Sequence, residues 1–187
     1  MKKITLSGLI VAAMLTFSAC NNTKTEDSTE VAEDQNEQKL DDTKLEDDSE
    51  FAVEAADGGM LEVQLGELAQ TNASHADVKK FASTMVTEHG KANEELKTLA
   101  GQKNITLPMS LSDDHQKKVD ELSKKKGAEF DKDYIAFMVQ DHKDDISEFE
   151  EAASDAKDPD VKAWAGGKVP ALKHHLEMAQ GIKDKLK

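Results

Sequence analysis

The sequence predicts an all-α protein, a four-helix bundle with a short crossover helix. Three observations lead there. From residue 50 onward the chain is rich in Ala, Leu, Glu and Lys, and aromatic residues make up only 4% of the whole. Apolar residues in this region recur at helical spacing, not in alternation. The recurrences fall into four long runs and one short one, which suits four bundle helices and one crossover segment.

The first helix is expected over 50–72. The second spans 75–100, with Ser74 as its N-cap, Asp77 in its first turn and Gly101 at its end. Pro108 marks a turn in the connection that follows. The short helix spans 112–125 and starts at Ser112-Asp113-Asp114. The fourth spans 128–155. Asp158-Pro159 reads as a cap followed by a first-turn proline, opening a last helix that runs to about 184. Gly58-Gly59 and Gly166-Gly167 interrupt good helix formers. Pro170 cannot donate to the carbonyl of Gly166, which predicts a kink.

Residues 1–19 read as a signal peptide. Lys2 and Lys3 form its charged start, Ile4 to Phe17 its apolar stretch, and Ser18-Ala19 its small-residue cleavage site. Cys20, the single cysteine, follows at once. Small residues directly before a cysteine resemble a bacterial lipoprotein signal, although Phe17 stands where leucine is usual. The resemblance implies lipidation of Cys20 and attachment to the cell envelope, at the outer membrane facing the periplasm or the cell surface. With that thiol lipidated, no disulfide, catalytic thiolate or sulfur-ligated metal site is expected. Residues 20–49 read as an acidic disordered tether, too poor in apolar side chains to offset ordering entropy. The folded domain is expected over 50–187.

The formal charge is −14, and it becomes −16 once Lys2 and Lys3 are removed with the signal. Every basic residue is lysine. An acidic surface without guanidinium groups argues against nucleic acid as a partner and against anionic lipid surfaces. The expected membrane contact is the lipid anchor itself; no protein partner is legible.

Helical facing singles out four residues. With each residue about 100° further round than the last, His89, His142 and His175 fall inside apolar stripes, as does Glu62. His174 and Glu67 point outward. Each long helix thus presents one ionisable side chain to the core, near its middle. Four convergent N/O donors would be costly to bury unpaired, and a divalent cation would satisfy them. Asp145, one turn from His142, is a further ligand or an acceptor that fixes a histidine tautomer. Each residue also has a plainer reading. A lone inward histidine is commonly a hydrogen-bonded core residue, and Glu62 could pair with Lys168. Met85, Met138 and Met178 lie one turn from these histidines; they are core filler, or thioether supplements that favour copper. His75 and His115 are expected at the surface.

The stretches AADGGMLEVQLGELA (55–69), VKKFASTMVTEHGKANEELKTLA (78–100), QDHKDDISEFEEAA (140–153) and DPDVKAWAGGKVPALKHHLEMAQ (158–180) together resemble the bacterial domain-of-unknown-function family 4142. That resemblance implies a ferritin-like fold and export from the cytoplasm. Its motifs fall on Glu62, His89, His142 and His175. The chain departs from the di-iron ferritin pattern: Val86, Val139 and Leu172 stand where the glutamates of Glu-x-x-His would be. Three imidazoles with one or two carboxylates fit a single ion, zinc or copper ahead of iron.

Three functions compete. The first is a lipid-anchored metal-binding bundle for metal handling or envelope stress protection. The second is a tethered structural or interaction domain with a buried Glu–His network and no metal. The third is a small metalloenzyme using an open position on the same ion. No nucleophile motif or phosphate loop supports another enzyme, and the chain is not expected to be one.

Overall fold

A computed structural model describes residues 27–41, 43 and 45–186. The expected signal peptide and Cys20 lie outside the described residues. Six helices are present among those described, and no strands: α1 (Ser28–Leu40), α2 (Glu46–Asn72), α3 (Ala76–Lys103), α4 (Asp113–Ser123), α5 (Gly127–Asp155) and α6 (Pro159–Lys185). The helix pairs α2–α3 and α5–α6 are the closely packed hairpins, and α2 also packs on α5 and α3 on α6. These four form the bundle, and short α4 lies in the crossover, against α2 and α5. Helix α6 continues through Pro170. Among the described residues, no helix is long and apolar enough to cross a membrane.

Helix α1 corrects the expected tether. Residues 28–40 are polar, yet they form a capped helix that packs on α2. The Asp27 carboxylate accepts from Thr29 N at 2.9 Å and from Asp113 N at 2.7 Å, so it caps α1 and holds the start of α4. Ala32, Asn36 and Leu40, four residues apart, make a narrow buried stripe. Asn36 binds the backbone of Thr106 in both directions, donating at 2.9 Å and accepting at 2.7 Å. The helix lacks the apolar content to fold on its own; the crossover backbone supplies its partners.

Buried aspartates fasten the helix ends. Asp131 accepts from Ser74 N, Ser74 Oγ and His75 N, at 3.0, 2.5 and 2.9 Å. This overturns Ser74 as the N-cap of α3: its hydroxyl is committed to α5, and the His75 ring accepts from Asp77 N instead. Asp48 similarly accepts from Lys157 N and Asp158 N at the α5–α6 turn. Helix α3 ends past Gly101, at Asn104, whose φ of 60° gives the left-handed C-cap.

The core has two apolar halves. Leu61, Leu65, Phe81, Met85, Tyr134 and Met138 belong to one. Phe51, Leu96, Phe149, Val161, Ala165 and Leu172 belong to the other. Along α3, α5 and α6 the changeover from one half to the other falls at His89, His142 and His175; along α2 it falls between Ala56 and Leu61, just before Glu62.

Candidate metal centre

Each long helix delivers one polar side chain to this junction because a single polar residue interrupts its apolar stripe. Glu62, His89, His142 and His175 are only 2%, 7%, 0% and 2% exposed. The ring centroids of the three histidines are 5.2 to 5.6 Å apart. One nitrogen from each lies within 4.8 Å of one from each of the others. Nε2 of His89 and Nδ1 of His175 are 3.3 Å apart.

The remaining ring nitrogens are tied outward. His89 Nδ1 pairs with Glu62 Oε2. His175 Nε2 donates to Glu88 Oε2 at 2.8 Å. His142 Nδ1 donates to the Met138 carbonyl at 3.0 Å, one helical turn back. A carbonyl can only accept, so the lone pair of a neutral His142 sits on Nε2. That atom is buried and has no hydrogen-bond partner among the described residues. Outward N–H donors on the other two rings likewise leave lone pairs on His89 Nε2 and His175 Nδ1, the two atoms that face each other.

Electrostatics favour this protonation pattern. Burial lowers the pKa of His142 to about 4, and the neighbouring imidazoles push the same way against Glu62. His175 is lowered too, by burial first, with Glu88 opposing. Burial pushes Glu62 upward, but the surrounding imidazoles, His89 foremost, hold its carboxyl below the usual range. His142 and His175 are therefore held towards neutral imidazole beside an ionised Glu62.

The sequence reading brought four residues to one place, and the structure separates their positions. Glu62 stands behind the rings, not among their facing nitrogens: it pairs with His89 Nδ1 and lies 3.4 Å from His142 Nδ1. Its neighbours are Asp141, His142 and Asp145, with which it forms a second close group. Asp145 is therefore near Glu62 but outside the three-imidazole group. Burial and the charge of Glu62 raise the carboxyls of both Asp141 and Asp145 well above the ordinary range. Lys168 does not reach Glu62; it pairs with Glu95. Met85 and Met138 are buried in the apolar core, and Met178 packs against it.

Glu88 and Asp141 were not anticipated. Each directly precedes a cluster histidine, about 100° off the buried stripe, where helical facing does not single it out. Glu88 reaches His175 on the neighbouring helix from a half-exposed position. Of the other histidines, His174 is exposed as expected. His115 is not a free surface residue. Its Nδ1 lies 2.8 Å from Asp57 Oδ2, fastening α4 to α2, and that bond raises its pKa.

The pattern of the domain of unknown function DUF4142 matches residues 30–182. The chain belongs to the DUF4142 family. The matched range includes most of α1, consistent with that helix being part of the domain. No curated protein matches this DUF4142 chain. Its fold is similar to that of CopM in two solved structures. The Cu(I)-bound form superimposes with a TM-score of 0.63 at 17% identity, over 74% of this chain and 96% of that one. The Cu(II)-bound form gives a TM-score of 0.64 at 16% identity, over 75% and 97%. At that identity the likeness establishes the shared helical fold.

Three imidazole nitrogens facing one another from three helices are a donor set that zinc and copper accept. The outward bonds to Glu62, Glu88 and the Met138 carbonyl fix ring orientation and tautomer, the usual supporting arrangement behind histidine ligands.

Proposed function

We propose that this protein is a lipid-anchored cell-envelope bundle that holds one divalent metal ion, copper or zinc, between His89, His142 and His175. Its role would be metal handling or protection of the envelope from metal stress. The observation that carries the reading is the buried, unpartnered Nε2 of His142, in a cluster where each ring's other nitrogen is already bound. An orphaned buried acceptor costs about 1–3 kcal/mol, and an ion would remove that cost. The copper-bound state of the structurally similar CopM lends support to copper. The anchor rests on the sequence before Cys20.

The test is elemental analysis of the protein purified without a metal-affinity tag, followed by titration with zinc and copper. One tightly bound equivalent is expected. His89→Ala, His142→Ala and His175→Ala should each weaken binding by more than about a hundredfold, beyond the usual effect of losing a supporting residue. His174→Ala should not alter it. If the wild-type protein binds no ion tightly, the cluster is a packing network and the metal reading fails.

A further inference from the structure

A cavity of about 380 Å³ adjoins the histidine cluster. Glu62, His89 and His175 form part of its wall, and the rings of Phe149 and Trp164 form another part. Those two rings pack at 5.5 Å as a tilted pair. Small residues leave the room: Gly58 and Gly167 both line the space, and a Cβ on either would meet nothing within 4 Å. Two buried polar atoms of lining residues lack hydrogen-bond partners among the described residues, Glu62 Oε1 and Trp164 Nε1. The volume falls in the range of about 300–1,000 Å³ typical of small-molecule sites, which also combine apolar walls with a few polar groups.

Three imidazoles leave one position of a tetrahedral ion free. Glu62 does not fill it, because its carboxylate is turned to Nδ1 of His89 and of His142. We infer that the cavity binds a small, flat organic molecule with an apolar body and a single lone-pair donor at its head, the head completing the coordination of the ion. The inference rests on the metal reading above. Phe149 and Trp164 receive the body. The ion selects the head, which is neutral, because Glu54, Glu62, Glu88 and Asp145 also line the space.

The experiment uses the full chain carrying copper(II), or cobalt(II) as a spectroscopic stand-in if zinc is the ion held. Imidazole supplies the head alone and 4-phenylimidazole the head with an apolar body; both are titrated while visible absorption is recorded. Both should shift the ligand-field bands, with 4-phenylimidazole at least about tenfold tighter because its ring is removed from water. Gly58→Leu, which fills the cavity from α2, should abolish that preference while leaving metal stoichiometry and imidazole binding unchanged. Ala171 of α6 lines the same space, and Ala171→Leu should do the same. Retained metal binding shows that each variant is folded. Equal affinity for the two probes, no spectral response, or a preference that survives both leucines overturns the inference alone. Failure of the wild-type protein to hold any ion overturns it together with the metal reading.

Discussion

Nε2 of His89 and Nδ1 of His175 face each other at 3.3 Å, and the opposite nitrogen of each ring is held by a glutamate. The two glutamates differ. Glu62 is buried between helices, whereas Glu88 is half-exposed. A carboxylate behind a ligating imidazole raises its basicity and fixes its tautomer.

Glu62→Gln and Glu88→Gln should therefore both weaken metal binding, by about 10- to 100-fold. Glu62→Gln should have the larger effect, because solvent can replace Glu88 but not Glu62. Competition titration against a chelator of known affinity measures both. Equal effects would mean that burial does not govern the supporting bonds.

His142→Leu separates stability from binding. The ring is wholly buried and its Nε2 is unpartnered. Replacing a half-satisfied polar group with an apolar one of similar size is often neutral or stabilising. The metal-free variant should unfold at the same denaturant concentration as wild type or a higher one, yet lose metal binding. Marked destabilisation of the metal-free protein would show that the ring is needed for packing.

Burial of the His142 ring should cost the metal-free protein stability as pH falls from about 6.5 towards about 4, the value to which burial lowers His142. The sign follows from proton binding. Across that window the unfolded chain takes up a proton at this ring that the folded one refuses, so the ring's contribution to stability rises with pH. The lowered pKa of His175 acts in the same direction. The raised carboxyls of Asp141 and Asp145 act oppositely, so the readout is a difference: the denaturation midpoint of wild type should fall relative to that of His142→Leu across this window. A slope unchanged by the substitution would assign the acid sensitivity elsewhere.

Asn36→Ala should cost about 1–3 kcal/mol, since it leaves the backbone of half-buried Thr106 without two bonds. Urea denaturation measures the loss. Metal affinity should not change, because α1 contributes no residue to the cluster. If α1 only lay loosely on the surface, Asn36→Ala would have no effect.

The pattern of legible and illegible features has a physical basis. Helices α2 to α6 were readable because their apolar stripes are long and periodic, and helical facing alone brought Glu62, His89, His142 and His175 together. Helix α1 was not readable. Its order depends on Asn36 meeting Thr106, seventy residues away in the chain, and its composition resembles a solvated spacer. The same limit applies to Ser74, whose local sequence reads as a cap until Asp131 from α5 claims its hydroxyl. Within the cluster, periodicity gives the face on which a side chain lies but not which atom it presents. Hence Glu62 was expected among the ligands, yet it lies outside the group of three facing imidazole nitrogens. Glu88 was invisible for the converse reason: an outward position still lets a long side chain reach a neighbouring helix.

The junction between the two apolar halves has a mechanical meaning. All four long helices run through both halves, so the polar layer is the waist of the molecule, where apolar side chains contribute least cohesion. An ion held there by α3, α5 and α6 would act as a rivet. Without it, each half could loosen separately while the other stayed intact. With it, the two would melt as one unit, and metal occupancy would be readable from the sharpness of unfolding as well as from its midpoint.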